Sequence, residues 1–147
     1  MSHTYSKLYY HCVFRTKGNR LFLTAEVSEE LNRYFVGIAR QKDIFLIRVG
    51  GIEDHRHLLF ELKPNQCVSD AMAALKANSS RWIRQKFPQM RDFGWQEGYS
   101  VFSVSASAKD TLIKYIDNQE EHHKKRTFDE ELKLLLERHG IVLDRPE

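Results

Sequence analysis

With 147 residues, a formal net charge of +3 and 41% hydrophobic residues, the chain has the size of one domain, taken as 1–147, able to bury a core without staples. Two cysteines, Cys12 and Cys67, stand without metal-ligand spacing, which speaks against a disulfide framework or a zinc cluster and points to a reducing compartment. The first residues carry no apolar leader and no apolar run reaches the ~20 residues of a membrane span, so a soluble cytoplasmic protein is expected, mildly basic and compatible with a polyanionic partner.

Lys7 to Phe14 alternates Leu8, Tyr10, Cys12 and Phe14 against Lys7, Tyr9, His11 and Val13, a period of two that predicts a first strand. A polar stretch, Arg15 to Arg20, breaks it. Thr24 then caps a helix whose Val27, Leu31, Tyr34, Phe35 and Ile38 recur at helical spacing, ending near Lys42. Ile44 to Val49 reads as a second strand, and a short turn around Glu53-Asp54 joins it to a third in an antiparallel hairpin.

The third strand carries His55 and His57. Strand alternation points both imidazoles to one face and Arg56, Leu58 and Phe60 to the other. Two neutral imidazoles on one rigid strand supply half a divalent-metal site, although such pairs also occur in ordinary sheets.

A second helix is predicted from about Val68 to Phe87, stopped by Pro88. Gly94 to Gly98 is a loop and Tyr99 to Ser105 a fourth strand. Ser107 with Asp110 resembles a capping box opening a third helix, 108–123, and Thr127 with Glu130 opens a last one, 128–139, with Leu132, Leu135 and Leu136 as its apolar stripe. The order is β-α-β-β-α-β followed by C-terminal helices. That is an α+β, ferredoxin-like (RRM-like) antiparallel sheet, an architecture that hosts many activities.

On the third helix Tyr115 and Gln119 are four residues apart and share a face. A phenol of ordinary pKa near 10 attacks phosphorus only with electrostatic help, commonly a metal, and Gln119 offers a neutral oxygen as a ligand. The plainer reading of Tyr115 is packing beside Leu112 and Ile116.

Four blocks occur in order: Tyr10-His11-Cys12-Val13-Phe14-Arg15-Thr16-Lys17, Asp54-His55-Arg56-His57-Leu58-Leu59, Gly94-Trp95-Gln96-Glu97-Gly98-Tyr99 with Phe102-Ser103-Val104-Ser105, and Tyr115-Ile116-Asp117-Asn118-Gln119-Glu120-Glu121-His122-His123. In these the chain resembles the small single-tyrosine HUH transposases of bacterial insertion sequences and their relatives, the REP-associated tyrosine transposases.

The resemblance implies a DNA strand transferase with His55, His57 and Gln119 as metal ligands, Tyr115 as the nucleophile, Mg²⁺ or Mn²⁺ as cofactor and no nucleotide cofactor. It further implies single-stranded DNA with hairpins as substrate, a 5′-phosphotyrosine intermediate, and a nucleoid-associated homodimer, commonly with the tyrosine helix of one subunit completing the other's site. Arg56 departs from the family, which usually has an apolar residue there. On the core side of its strand it has to reach the sheet margin, a carboxylate or DNA.

Lys17, Arg20, Arg81, Arg84, Lys124, Lys125 and Arg126 are candidates for phosphate contacts, and Trp95 or Tyr99 for stacking on a base. His11 is a candidate for lining the pocket, or a strand histidine with a satisfied hydrogen bond. His123 competes with Gln119 as a ligand. Other readings are a non-catalytic single-strand nucleic-acid-binding module, a nuclease using metal-activated water, and a domesticated transposase.

Overall fold

The structure, a computed structural model, describes residues 3–143; the outermost positions of the expected 1–147 domain lie outside the described residues. The strands are β1 (Tyr9–Arg15), β2 (Phe45–Gly50), β3 (His55–Glu61) and β4 (Ser100–Val104). All neighbours are antiparallel, in the order β2-β3-β1-β4, which is the expected mixed architecture. Helices α1 (Ala25–Gln41) and α2 (Val68–Lys86) separate the strands, and α3 (Lys109–Asp117), α4 (Gln119–His123) and α5 (Phe128–Arg138) follow them. No helix among the described residues is long and apolar enough to cross a membrane.

The central strands β1 and β3 are buried on both faces. One face sends Cys12, Phe14, Leu58 and Phe60 into the main core under α1 and α2, where Leu31, Phe35, Met72 and Leu75 meet them. The other is covered by the C-terminal helices in two smaller apolar clusters. Val13 and Phe102 pack on Phe128 and Leu135 of α5, while Tyr9 and Leu59 pack on Ile116 of α3. Between the two clusters lies a polar seam that holds His11, His55 and His57.

Thr24 caps α1 by accepting from the Val27 amide, and the capping box of Thr127 and Glu130 opens α5. The box expected at Ser107 does not form: Ser107 meets Ser105 instead, and a 3-10 turn, Ala106–Ala108, leads into α3. Nor is 108–123 one helix. It breaks at Asn118 (φ −99°, ψ 24°), where a turn without glycine or proline re-aims the chain, so Gln119 starts α4 rather than ending α3.

Arg56 corrects another expectation. It is 1% exposed, reaching neither the sheet margin nor a carboxylate. Its guanidinium donates instead to the carbonyls of Ile52 and His55, at 3.1 and 3.0 Å, and to the hydroxyl of Ser28. Burial lowers its pKa to about 10, so it stays charged at neutral pH and locks the β2–β3 turn to the start of α1.

Two glycines in that hairpin set how closely other chain segments approach. Gly51 has φ +153°, and a side chain there would collide with the His55 carbonyl. At Gly50, which pairs with His57, a Cβ would lie 2.8 Å from both the carbonyl oxygen and the Cγ2 of Ile116. Because the backbone oxygen cannot step aside, Gly50→Ala pushes α3 outward. It should cost about 1–3 kcal/mol as an overpacking change, read as a lower urea midpoint at unchanged slope.

Candidate active site

β3 fixes His55 and His57 on the face opposite Arg56, and both are fully buried. Each imidazole is oriented from behind. Asp54 Oδ1 lies 2.8 Å from His55 Nδ1, and His11 Nε2 lies 2.8 Å from His57 Nδ1. Both Nε2 atoms therefore point into the seam. A carboxylate, carbonyl or water behind the ring is how metal-binding histidines are aligned and their tautomer fixed; Asp54 fills that place at His55, and the His11 imidazole stands there at His57. His11 thus both lines the site and has its hydrogen bond satisfied.

Into the same seam α5 places Glu131, which sequence reasoning passed over. It is 1% exposed. Its Oε1 lies 3.2 Å from His57 Nε2, 3.4 Å from His55 Nε2 and 3.0 Å from His123 Nε2. Its Oε2 accepts from Gln119 Nε2 at 2.8 Å and from the Tyr115 hydroxyl. Gln119 Oε1 in turn lies 2.8 Å from His55 Nε2 and 3.1 Å from His123 Nε2. The phenol, both histidines and the amide therefore meet around one carboxylate, within one chain.

A signal for Glu131 was present. It stands three residues after Phe128 and four before Leu135, in the middle of the helix's buried face, where a carboxylate is out of place unless it has partners. Among the described residues, His55, His57 and Glu131 form a group able to hold a metal ion.

Burial pushes the Glu131 carboxyl up, but hydrogen bonds from His55 and His57 outweigh it and hold the group far below the usual carboxylate range. For Tyr115, burial and donation to Glu131 act together and push the phenol well above its ordinary value. His57 is lowered by burial, only partly offset by Glu131; His55 is raised, because hydrogen bonds to Asp54 and Glu131 outweigh its burial. Without a cation, then, the phenol is a locked donor and a poor nucleophile.

Two clefts open beside Tyr115. One, of about 520 Å³, is lined by His122, Lys125, Arg126 and Arg138; the other, of about 360 Å³, by His11, Ser103, Leu112 and His139. Of the cationic candidates, Lys125 and Arg126 line the first cleft, while Lys124 pairs with Glu121 at the surface.

Lys17, Arg20, Arg81 and Arg84 line neither cleft; Arg20 is paired with Asp92, and Arg84 donates to the Phe93 carbonyl. Trp95 is not a stacking platform. Its ring lies in the core against Phe14 and Phe93, and its Nε1 donates to Ser79 at 2.9 Å. Tyr99 is exposed, with the Lys76 ammonium 5.9 Å from its ring.

The profile of the family "Transposase IS200 like" matches residues 4–119. The ISDra2 transposase TnpA of Deinococcus radiodurans is 30% identical over 118 residues, 77% of this chain and 84% of that protein. The transposase for insertion sequence element IS200 of Salmonella typhimurium is 28% identical over 130 residues, 84% of each chain. A crystal structure from D. radiodurans R1 superposes with TM-score 0.68 at 29% identity, covering 81% of this chain and 95% of that one. A REP-associated tyrosine transposase bound to a REP hairpin shares the fold, with TM-score 0.63 at 13% identity over 84% of this chain and 73% of that one. The match of that profile to most of the chain, with the buried histidine pair and the phenol inside the matched stretch, places the protein in the IS200-like transposase family.

Proposed function

We propose that this transposase cuts and rejoins single-stranded DNA at hairpin-bearing element ends, with Tyr115 as the nucleophile beside a divalent cation held by His55 and His57. The observation that carries this reading is the convergence of the Tyr115 hydroxyl, two back-oriented imidazoles and the Gln119 amide on one buried carboxylate. The donor set suits such an ion. It offers imidazole nitrogens, a carboxylate and an amide oxygen, the mixed ligands that Mn²⁺ and, with waters, Mg²⁺ accept. Bound there, the cation would polarise the scissile phosphate and offset the charge that builds on it.

The rest is work for the chain's own groups. The strand lies across the mouth of the site, its phosphates met by Lys125, Arg126 and Arg138 in the larger cleft. Tyr115 Oη forms a bond to phosphorus while the bond to the departing 3′ oxygen breaks. The proton lost by the phenol is matched by one gained at that oxygen, giving a 3′-hydroxyl and a 5′-phosphotyrosine. Attack by another 3′-hydroxyl reverses these changes at a new junction, so the phosphodiester energy is conserved and no nucleotide cofactor is required. A homodimer would bring two such sites together, one for each element end.

The test is incubation with a labelled single-stranded hairpin from the flanks of the encoding gene, with Mg²⁺ or Mn²⁺, followed by a denaturing gel. A labelled protein band is expected. Cleaved DNA with no labelled protein indicates activated water instead, and binding without cleavage indicates a binding module.

A further inference from the structure

We propose that Glu131 is a working part of this site, binding the cation through Oε1 while Oε2 holds the Tyr115 hydroxyl, so that one carboxylate on α5 links metal loading to placement of the nucleophile. The proposal rests on the metal-assisted reading above. It concerns a residue outside the stretch 4–119 that matches the family profile, so membership in the family assigns it nothing.

A fully buried carboxylate is costly unless compensated. The ion-pair partners of Glu131 are imidazoles alone, from His55, His57 and His123; among the described residues no lysine or arginine pairs with it. An imidazole Nε2 is a metal ligand as well as a hydrogen-bond partner, so three potential ligands surround one carboxylate oxygen. The spacing agrees. A cation about 2.0–2.2 Å from each donor holds neighbouring donors roughly 3.0–3.5 Å apart, and Oε1 lies 3.0 to 3.4 Å from the three Nε2 atoms.

The second oxygen accepts from the Tyr115 hydroxyl and the Gln119 amide. Glu131 is also firmly placed. The capping box fixes the start of α5, Arg15 reaches Asp129 at 2.7 Å, and Phe128 and Leu135 anchor the helix on either side. Movement of the carboxylate toward a cation is therefore transmitted to the phenol rather than absorbed by the helix.

Two DNA-free measurements test this on the full chain. Calorimetric titration of metal-stripped protein with Mn²⁺ should show Glu131→Gln binding at least about tenfold more weakly than wild type, as expected for loss of a ligand or its close support. Unchanged circular dichroism serves as the control, and Glu131→Asp should recover part of the affinity. In ¹³C-tyrosine-labelled protein, the Tyr115 resonance, assigned by its absence in Tyr115→Phe, should shift on adding Mg²⁺ to wild type and stay put in Glu131→Gln. Equal Mn²⁺ affinity in Glu131→Gln, or no binding by wild type, overturns the ligand role. A Tyr115 signal that follows Mg²⁺ equally in both proteins overturns the link. Because neither readout uses DNA, failure to form a DNA adduct bears on the strand-transfer reading and leaves these outcomes to be judged separately.

Discussion

Tyr115→Phe is expected to reduce covalent DNA capture and cleavage by at least about a thousandfold, because in the proposed reaction it removes the attacking atom. The fold survives. The hydroxyl's partner, Glu131 Oε2, keeps the Gln119 amide at 2.8 Å, so the stability change stays within about 1 kcal/mol, the scale of one hydrogen bond. Binding of the hairpin, which the proposed reaction assigns to Lys125, Arg126 and Arg138 in the adjoining cleft, should be nearly unchanged in a filter or anisotropy assay. A variant that still cleaves at a tenth of the wild-type rate would assign the chemistry to activated water.

The second large effect is on stability in acid. Burial, with the neighbouring His57, pushes His11 down to about 3, and burial also lowers His57. Both have folded pKa values below the unfolded value, so the unfolded chain takes up protons first as pH falls. Stability is therefore complete above pH ~6.5 and declines below it, with His11 alone worth up to about 5 kcal/mol by the time pH reaches ~3.

Glu131 and Asp54 are held down by their hydrogen bonds to histidines despite burial, so they add a further loss once the unfolded carboxylates begin to protonate near pH ~4.5. His55 runs the other way. Its raised pKa gives stability that is full below pH ~6.5 and fades as pH rises through its folded value, so it trims stability on the alkaline side and leaves the acid decline unchanged. Against a typical total of about 5–15 kcal/mol, metal-free protein should lose most of its stability between about pH 6 and 4. Urea midpoints at several pH values in chelator check this. Replacing His11 with Gln should flatten the curve, whereas a wild-type midpoint constant across that range would contradict the assignment.

The strands and main helices were legible because their signals are local. Alternation in β1 separates Cys12 and Phe14, which enter the main core, from Tyr9, His11 and Val13, which face the C-terminal helices. The histidine pair was legible for the same reason. What escaped depends on contacts distant in sequence. The break at Asn118 has no glycine or proline to mark it, and Trp95 looks like a loop aromatic until Thr16 bridges to it and Ser79 takes its indole. Arg56 reaches Ser28, a partner 28 residues away, that no spacing rule nominates. Glu131 was hidden by its neighbours: Glu130 supplied the capping signature and Leu132, Leu135 and Leu136 the stripe, leaving a buried carboxylate unread between them.

In the proposed reaction the Tyr115 phenol and the His55–His57 pair serve one phosphoryl-transfer site. Protease digestion of the covalent product formed with ³²P-labelled hairpin DNA, followed by mass spectrometry of the labelled peptide, tests it most directly. The predicted result is a nucleotide joined through its 5′ phosphate to the oxygen of Tyr115, and no such peptide when His55 and His57 are both replaced with Ala. A nucleotide on any other residue, or label found only on free 5′-phosphorylated DNA, would contradict it.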